Sequence, residues 1–321
     1  MKTIVMKAKA THGEQGDVQQ YLTSRSCRDD VRQFLNAALS ENTLRAYRTD
    51  LQHFIAWGGV IPAPPEMIAT YLAQHATTLA GTTLSRRLVA IARAHAARGL
   101  PSPTSSALVR ATLQGVRRSL TNTVRQVAPL QKAQLVRMVH GLKDLRGLRD
   151  TAMLLIGFAG ALRRSELVAL DVEDMSFTSE GTVLRLRRSK TDQQGRGRDI
   201  AIPLVKGRYC PTRSLQAWLQ AAGITTGALF RRVNRYGRVL PQRLTSQSVA
   251  LIIKQRAESA GFDPEIFSGH SLRAGFVTNA ASAGSSSASI RATTGHKSEA
   301  ILQRYIRHSS LFTDNANRKI W

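Results

Sequence analysis

One stretch of the chain, residues 182–203, has the two-residue periodicity of β-strands, whereas apolar residues elsewhere recur at helical spacing. Within 182–190 two leucines alternate with two arginines, and Asp199–Pro203 supplies a second alternating segment. Side chains of a strand point to its two faces in turn, so this alternation predicts a half-buried strand pair. The turn-like segment 192–197 between the two strands indicates a β-hairpin. We therefore expect a mainly α-helical fold with a small antiparallel β-sheet in its C-terminal half.

The first part of the chain carries helical patterns and no strand pattern. Its four predicted helices run over Leu44–Ile55, Glu66–His75, Leu84–His95 and Leu113–Leu120. In each of them apolar residues lie three or four positions apart, and glycines and prolines mark where helices end. We expect a small all-α domain over residues 31–122, preceded by a polar extension over residues 1–30.

A short polar connector near residues 121–128 is the predicted boundary with a second domain over residues 128–321. A length of 321 residues suits two domains of ordinary size. Besides the hairpin, the second domain is expected to contain helices near 131–141, 147–160, 212–222, 246–260, 272–283 and 286–294.

The charge balance of the chain points to a polyanionic partner. Lysine and arginine number 46 against 21 acidic residues, which gives a net charge of +25 and a pI of about 11.4. Nucleic acid is the leading partner for such a surface, and an anionic membrane or a simple solubility effect are the alternatives. A hydrophobic fraction of 42% supports packed cores and excludes a disordered chain.

Several classes of protein are disfavoured by what the sequence lacks. Two cysteines, Cys27 and Cys210, form neither a disulfide framework nor a CxxC metal site. No apolar run reaches the roughly 18 residues of a membrane span, and the first residues do not form a secretory signal. The phosphate loop GxxxxGK[ST] is absent as well, so no ATP use is implied. We expect a soluble cytoplasmic protein without cofactor, metal or membrane partner.

Three clusters in the second half gather side chains that can act on a phosphodiester. They are GALRRSEL at residues 160–167, HSLRAG at residues 270–275, and TGH at residues 294–296, which Tyr305 follows nine residues after its histidine. Lys190 lies on the predicted hairpin. Metal-free cleavage of a phosphodiester needs a nucleophile, fixed cations for the growing phosphate charge and a proton for the leaving oxygen. Tyrosine suits the first role, arginine the second, and lysine or histidine the third.

Each of these residues also has an ordinary structural interpretation. Arg163 can be a surface arginine, and Lys190 a solvated charge on a basic hairpin. His270 can cap the helix that follows it, and His296 can cap the helix that precedes it. Tyr305 can be a core tyrosine of an amphipathic helix, because apolar residues flank it at helical spacing.

In their order and spacing the clusters resemble the tyrosine recombinase (phage integrase) family, over roughly residues 35 to 315. The family box Gly-Leu-Arg-x-Ser-Glu-Leu appears here as Ala161–Leu167, with alanine in place of the glycine. The boxes His-x-x-Arg, Gly-His with a tyrosine nine residues on, and the hairpin lysine are also present. The resemblance implies a catalytic set of Arg163, Lys190, His270, Arg273, His296 and Tyr305, with Glu166 in support.

The resemblance also implies an activity and an assembly. The helical N-terminal half is similar to the family's SAM-like core-binding domain, and the two domains are expected to form a C-shaped clamp around DNA. Tyr305 would form a 3′-phosphotyrosine at an inverted-repeat core site, and four protomers would exchange strands through a Holliday junction. The protein would be monomeric in free solution and tetrameric on synapsed DNA. A bacterial, phage or plasmid origin and a location at the nucleoid are expected, and an accessory directionality factor stays open.

The biological role has several candidates. Only about 30 polar residues precede Val31, so a separate folded arm-binding domain is not expected. Integration or resolution of a mobile element fits this organisation. The alternatives are a type IB topoisomerase-like DNA-relaxing enzyme, in which a lysine stands at the position of His270, and a DNA-binding architectural protein without catalysis.

Contacts with the DNA backbone are expected from arginines outside the catalytic set. A charged face exposed to solvent is an equal interpretation of the same residues. The candidates for DNA binding are Arg86, Arg87, Arg117, Arg118, Arg231, Arg232 and Arg243, together with Ser246 and Gln247 at the start of a predicted helix.

Overall fold

The structure, a computed structural model, describes residues 41–119, 128–187, 197–296 and 299. The chain divides into two compact units between Arg125 and Gln126. The predicted N-terminal extension, Lys190, and Tyr305 with the residues after it lie outside the described ranges. Across the described residues, no helix is long and apolar enough to cross a membrane.

The described part of the first unit contains four α-helices, at nearly the predicted positions. They are α1 (Glu41–Ala56), α2 (Pro65–Gln74), α3 (Gly81–Ala96) and α4 (Ala107–Ser119). Their buried faces share one apolar core around Phe54, Ile68 and Tyr71. The sequence predicted too many buried residues on α1, since Leu44 and Ile55 are 39% and 53% exposed. A one-sided helix buries only a stripe of its surface, and both residues lie outside that stripe.

A polar cluster lies inside the first unit and corrects one prediction. Arg87 is 8% exposed, and its Nη1 donates to the Tyr71 hydroxyl at 2.7 Å and to His53 Nδ1 at 2.8 Å. The half-exposed Arg86 binds the buried carboxylate of Asp50 through two hydrogen bonds, of 2.6 and 3.0 Å. The guanidinium of Arg87 is therefore used within the unit, and Arg87 is not part of an exposed basic face.

The second unit is mainly helical with two small antiparallel sheets. Its described helices are α5 (Lys132–Val139), α6 (Leu145–Ala159), α7 (Arg164–Ala169), α8 (Pro211–Ala222), α9 (Ser246–Ser259), α10 (Ser271–Ser282) and α11 (Ser287–Thr294). Its described strands are β1 (Met175–Phe177), β2 (Gly181–Leu186), β3 (Arg198–Pro203), β4 (Arg231–Val233) and β5 (Val239–Arg243). The predicted fold class, mainly α with a small antiparallel sheet, is confirmed.

The predicted strand pair is present and forms part of a three-stranded sheet. The strand order is β1-β2-β3, and the register places Leu184 opposite Ile200 and Leu186 opposite Arg198. Two elements were not predicted from the sequence: strand β1 and the β4–β5 hairpin. Strands β1 and β4 have only three residues each, which is too short for a two-residue alternation to be recognised.

Helix α6 is the central element of the second unit and leads directly to the candidate site. Five consecutive residues, Ala152–Ile156, are buried, because α8 and α10 pack against the helix. The side chain of Asp144 caps its N-terminus by accepting a hydrogen bond from the backbone N–H of Gly147 at 3.0 Å. The helix ends at Ala159, and the first of the three clusters begins at the following residue, Gly160.

Candidate active site

The first cluster is formed by a tight turn between α6 and α7. Ala161 has φ of 49°, and among the residues that the structure describes it is the one non-glycine residue with positive φ. A side chain is disfavoured in this left-handed region, which explains why the family pattern has glycine at this position. Here alanine adopts the same turn, so the departure from the pattern leaves the local backbone path intact.

The turn places Arg163 at the N-cap of α7, where Glu166 holds it. The Glu166 carboxylate accepts hydrogen bonds from the backbone N–H of Arg163 at 2.9 Å and from its Nη1 at 2.5 Å. Glu166 is 4% exposed, so both bonds are largely shielded from water. Charge-assisted bonds of this kind fix the direction of a guanidinium. This geometry suits the supporting role that the sequence suggested for Glu166.

Arg273, in the first turn of α10, is tied to the same turn. The side chain is buried, at 2% exposed, and its Nη1 donates to the carbonyl oxygen of Ala161 at 2.8 Å. Just before α10, Gly269 lies against the side chain of Arg164, which would have to move to make room for a Cβ at position 269. Two arginines that are far apart in sequence thus meet at one turn.

His270 occupies the N-cap position of α10, but its side chain does not cap the helix. Partial desolvation lowers the pKa of His270 below 6.5, and the charges of Arg273, Arg163 and Arg164 lower it further. The ring is therefore neutral at neutral pH. A neutral imidazole beside two guanidinium groups can accept a proton from an attacking hydroxyl.

His296 follows the C-terminus of α11, where Gly295 turns the chain with φ of 67°. Its Nδ1 lies 2.9 Å from the hydroxyl oxygen of the buried Thr294. Burial is the main reason that the pKa of His296 falls to about 4; the charges of Arg273 and Arg163 reinforce it. This imidazole is also neutral at neutral pH and can offer a hydrogen bond to a phosphate oxygen.

Four of the six predicted catalytic residues share one site, and two lie outside the described residues. The charges of Arg163 and Arg273 act on both imidazoles, which shows that the three clusters converge. Two guanidinium groups and two neutral imidazoles can bind a phosphate and exchange protons with its substituents. Within the described ranges, no group of three or more His, Cys, Asp or Glu side chains could hold a metal ion.

One residue of the site was not singled out from the sequence. Arg198 begins β3, and its charge acts on both Arg163 and His296. Its position in the alternation was the available signal, since residue 198 is in phase with the inward-facing Ile200 and Ile202.

The candidate DNA-binding residues differ in how free their side chains are. Arg117, Arg118 and Arg232 are exposed, as is Gln247, and Ser246 is the first residue of α9. Arg243 donates to the carbonyl of Val168 and to Asp171, each at 2.6 Å, and Arg231 binds the carbonyls of Thr226 and Ala228. Arg231 and Arg243 therefore hold the β4–β5 hairpin in place. Of the three hairpin arginines among the DNA-binding candidates, Arg232 is the one whose exposed side chain can contact a ligand.

Comparison with known proteins gives the family. Residues 129–311 match the phage integrase family, and residues 32–99 match the phage integrase N-terminal SAM-like domain. The chain belongs to the phage integrase family of tyrosine recombinases. An integrase/recombinase xerD homolog of Selenomonas ruminantium is 38% identical over 298 residues, which cover 89% of this chain and 87% of the relative.

Two further relatives agree with the assignment. The recombinase Cre of Escherichia phage P1 is 25% identical over 297 residues, which cover 84% of this chain and 85% of the relative. The integrase of transposon Tn1549, solved in complex with a circular intermediate DNA, has the same fold with a TM-score of 0.63 and 15% identity. The alignment covers 95% of this chain and 99% of that one. This family membership makes the chain a DNA recombinase in the broad sense.

Proposed function

We propose that this chain cuts and rejoins duplex DNA at a specific core site through a 3′-phosphotyrosine on Tyr305, without a metal ion or ATP. The observation that carries the proposal is the convergence of Arg163 and Arg273 beside the two neutral imidazoles of His270 and His296. Such a set can bind the non-bridging oxygens of a phosphate while leaving a base available for the nucleophile. An architectural DNA-binding protein does not need this arrangement.

The proposed reaction divides the roles among these residues. The Tyr305 hydroxyl attacks the scissile phosphorus and gives its proton to neutral His270, since a free tyrosine pKa of about 10 is too high for unassisted attack. Arg163, Arg273 and His296 stabilise the charge that grows on the non-bridging oxygens. The bond from phosphorus to the 5′ oxygen breaks, and Lys190 donates a proton to that oxygen. Attack by a 5′ hydroxyl on the phosphotyrosine reverses the sequence and releases Tyr305.

The proposed biological task is integration or resolution of a mobile element. The names of the relatives, an integrase/recombinase homolog and the recombinase Cre, support an integration or recombination reaction. In this proposal four protomers bind two inverted-repeat core sites and exchange strands through a Holliday junction. A net charge of +25 opposes association of protomers in free solution, and DNA phosphates remove that repulsion. The protein is therefore monomeric until it binds DNA.

Covalent trapping on DNA tests the proposal. A nicked suicide substrate, made from the DNA that flanks the gene of this protein, is incubated with wild type and with Tyr305→Phe. The wild type is expected to form a covalent adduct, and the variant is expected to bind the DNA without forming one, since only a hydroxyl is lost. Tyr236→Phe is the matched control, because Tyr236 is 71% exposed and lies outside the site.

The possible outcomes separate the candidate functions. An adduct that persists in Tyr305→Phe contradicts the choice of nucleophile. DNA binding with no adduct in the wild type supports an architectural protein instead. Relaxation of supercoiled DNA without any specific site, and without exchange between two sites, supports a topoisomerase-like activity.

A further inference from the structure

Arg198 occupies a position on β3 where the fold calls for an apolar side chain. Residues 198, 200 and 202 face the same side of the strand, and Ile200 and Ile202 are each 2% exposed. The entry to the strand is constrained, because a Cβ on Gly197 would lie 2.6 Å from the carbonyl oxygen of Leu186. The backbone thus directs a charged side chain inward at the end of the sheet that is nearest to the candidate active site.

The Arg198 guanidinium binds the C-terminus of α11. Its Nη1 donates to the carbonyl oxygen of Thr293 at 2.5 Å and to that of Ala292 at 3.3 Å. The last carbonyls of a helix have no partner within the helix, and a cation there also interacts favourably with the helix dipole. Arg198 therefore holds the end of the helix that immediately precedes His296.

The same side chain packs against the turn that orients His296. A Cβ on Gly295 would lie 3.0 Å from Cζ of Arg198, which is tighter than ordinary van der Waals contact, so the guanidinium lies directly against this turn. Otherwise the described contacts of His296 are few. Its ring contacts the Thr294 hydroxyl, and its carbonyl oxygen accepts a hydrogen bond from Nε of Arg291 at 3.3 Å. Arg198 braces the turn from the side of the sheet.

This arrangement is poorly explained by stability alone. In the described part of the chain, no carboxylate forms an ion pair with Arg198, and its buried Nη2 has no hydrogen-bond partner there. Burial lowers the pKa of Arg198, with a further contribution from Arg163 that Glu166 opposes. A half-buried cation that has no ion pair among the described residues costs some folding free energy, so an apolar side chain would be the more common choice at this position.

We propose that Arg198 is a positioning residue of the strand-cleavage reaction, which fixes the Gly295-His296 turn so that the His296 ring meets the phosphate held by Arg163 and Arg273. The inference rests on the proposed function of this site and adds a residue to it. Arg198 acts through His296 rather than on the reacting atoms. Its position at the start of β3 also ties the hairpin strand to the histidine turn.

A double-mutant cycle tests whether Arg198 acts through His296. Arg198→Met keeps the length of the stem and removes both hydrogen bonds to the carbonyl oxygens of α11. Single-turnover cleavage of the suicide substrate is expected to fall about 10²-fold, the typical result of a misplacement of about 1 Å. In a His296→Ala background the same substitution is expected to change the rate less than about threefold, because the group that it positions is absent.

Two further variants control for folding and for charge. Arg185→Ala removes an arginine of the adjacent strand whose ion pair with Asp199 is about half exposed, and it is expected to leave cleavage unchanged. Arg198→Lys keeps the charge but has a single donor nitrogen, so an intermediate rate is expected. Thermal unfolding of each variant establishes that it is folded before its rate is compared.

Titration of His296 by NMR gives a readout that does not depend on activity. The groups that depress its pKa besides burial are Arg273, Arg163, His270 and Arg198. In Arg198→Met the pKa of His296 is expected to rise slightly above about 4, because burial, Arg273, Arg163 and His270 lower it more than Arg198 does, and in Arg185→Ala it is expected to stay in place. An unchanged pKa in Arg198→Met, or rate losses that are additive in the double mutant, would overturn the inference. If wild type does not cleave DNA, the proposed function fails, while the titration still decides whether the Arg198 charge lies close to the His296 ring.

Discussion

The pairing of Glu166 with Arg163 permits a quantitative prediction for Glu166→Ala. The substitution removes two hydrogen bonds from a carboxylate that is 4% exposed, and leaves a guanidinium whose side chain is 20% exposed without its counter-ion. Breaking a fully buried ion pair from one side costs about 3–5 kcal/mol. Because Arg163 is partly hydrated, we expect the free energy of unfolding to fall by about 3 kcal/mol, the lower end of that range.

We expect the rate of cleavage by Glu166→Ala to fall even under conditions where the variant is fully folded. Without Glu166 the Arg163 guanidinium can rotate away from the phosphate, and losing one fixed donor to a growing oxyanion costs about 10²- to 10³-fold in rate. Glu166→Gln keeps the shape and one acceptor oxygen, so we expect it to lose about half as much stability and to cleave at an intermediate rate. The assays are urea unfolding of the free protein and single-turnover cleavage under conditions where each variant is fully folded.

Glu173→Ala is the matched control. The Glu173 carboxylate also accepts a backbone N–H, from Gly227 at 2.9 Å, but it is exposed and binds no arginine of the site. We expect neither measurement to change appreciably for it. A Glu166→Ala variant that loses stability but cleaves at the wild-type rate would refute the reasoning, since Glu166 would then only pack. Unchanged stability would refute the predicted strength of the pair.

Two further predictions concern proton transfer. Lys190→Ala should slow cleavage about 10²- to 10³-fold, and its rate should recover on a substrate with a 5′-bridging sulfur, because that leaving group needs no proton. Arg163→Ala should stay slow on the same substrate. If neither variant recovers there, Lys190 is not the proton donor. His296, with a pKa of about 4 in the folded chain and about 6.5 unfolded, should add stability that is complete above pH 6.5 and lost as pH falls through 4. In His296→Gln the free energy of unfolding, measured with urea, should depend less on pH between 6.5 and 4 than in the wild type. The same pH dependence in both proteins would contradict the lowered pKa of His296.

The sequence predicted the helices well because they are long and clearly bounded. Helix α1 spans 16 residues and α3 also spans 16, so several turns of apolar periodicity accumulate in each. Strand β4, with a single buried residue among its three, gives no such signal. The hairpin it forms with β5 is fixed instead by tertiary contacts, such as that of Arg243 with the Val168 carbonyl, which no local pattern contains.

The sequence predicted which residues belong to the candidate site, but not the contacts that hold those residues in place. Arg163, His270, Arg273 and His296 stood out through their motifs, and the structure brings the four together. The contact of Arg273 with the Ala161 carbonyl joins residues that are more than 100 positions apart, so local spacing could not indicate it. For Arg87 the sequence predicted an exposed side chain, and the structure shows a buried one. A basic pair on a helix suggested an exposed face, but one of the two arginines faces the core.

The balance of charge in the site explains why both histidines are kept neutral. Arg163, Arg273 and Arg198 converge there, and Glu166 forms an ion pair with Arg163. Desolvation lowers the pKa of His270 and of His296, and the neighbouring arginines lower both further. Protonating either ring would add a positive charge beside these arginines, so the free protein leaves both rings neutral. In the proposed reaction, a bound phosphate adds negative charge beside both rings and would raise both pKa values by the same electrostatic interaction. We therefore expect His270 to be a better proton acceptor when the substrate is in place than in the free protein.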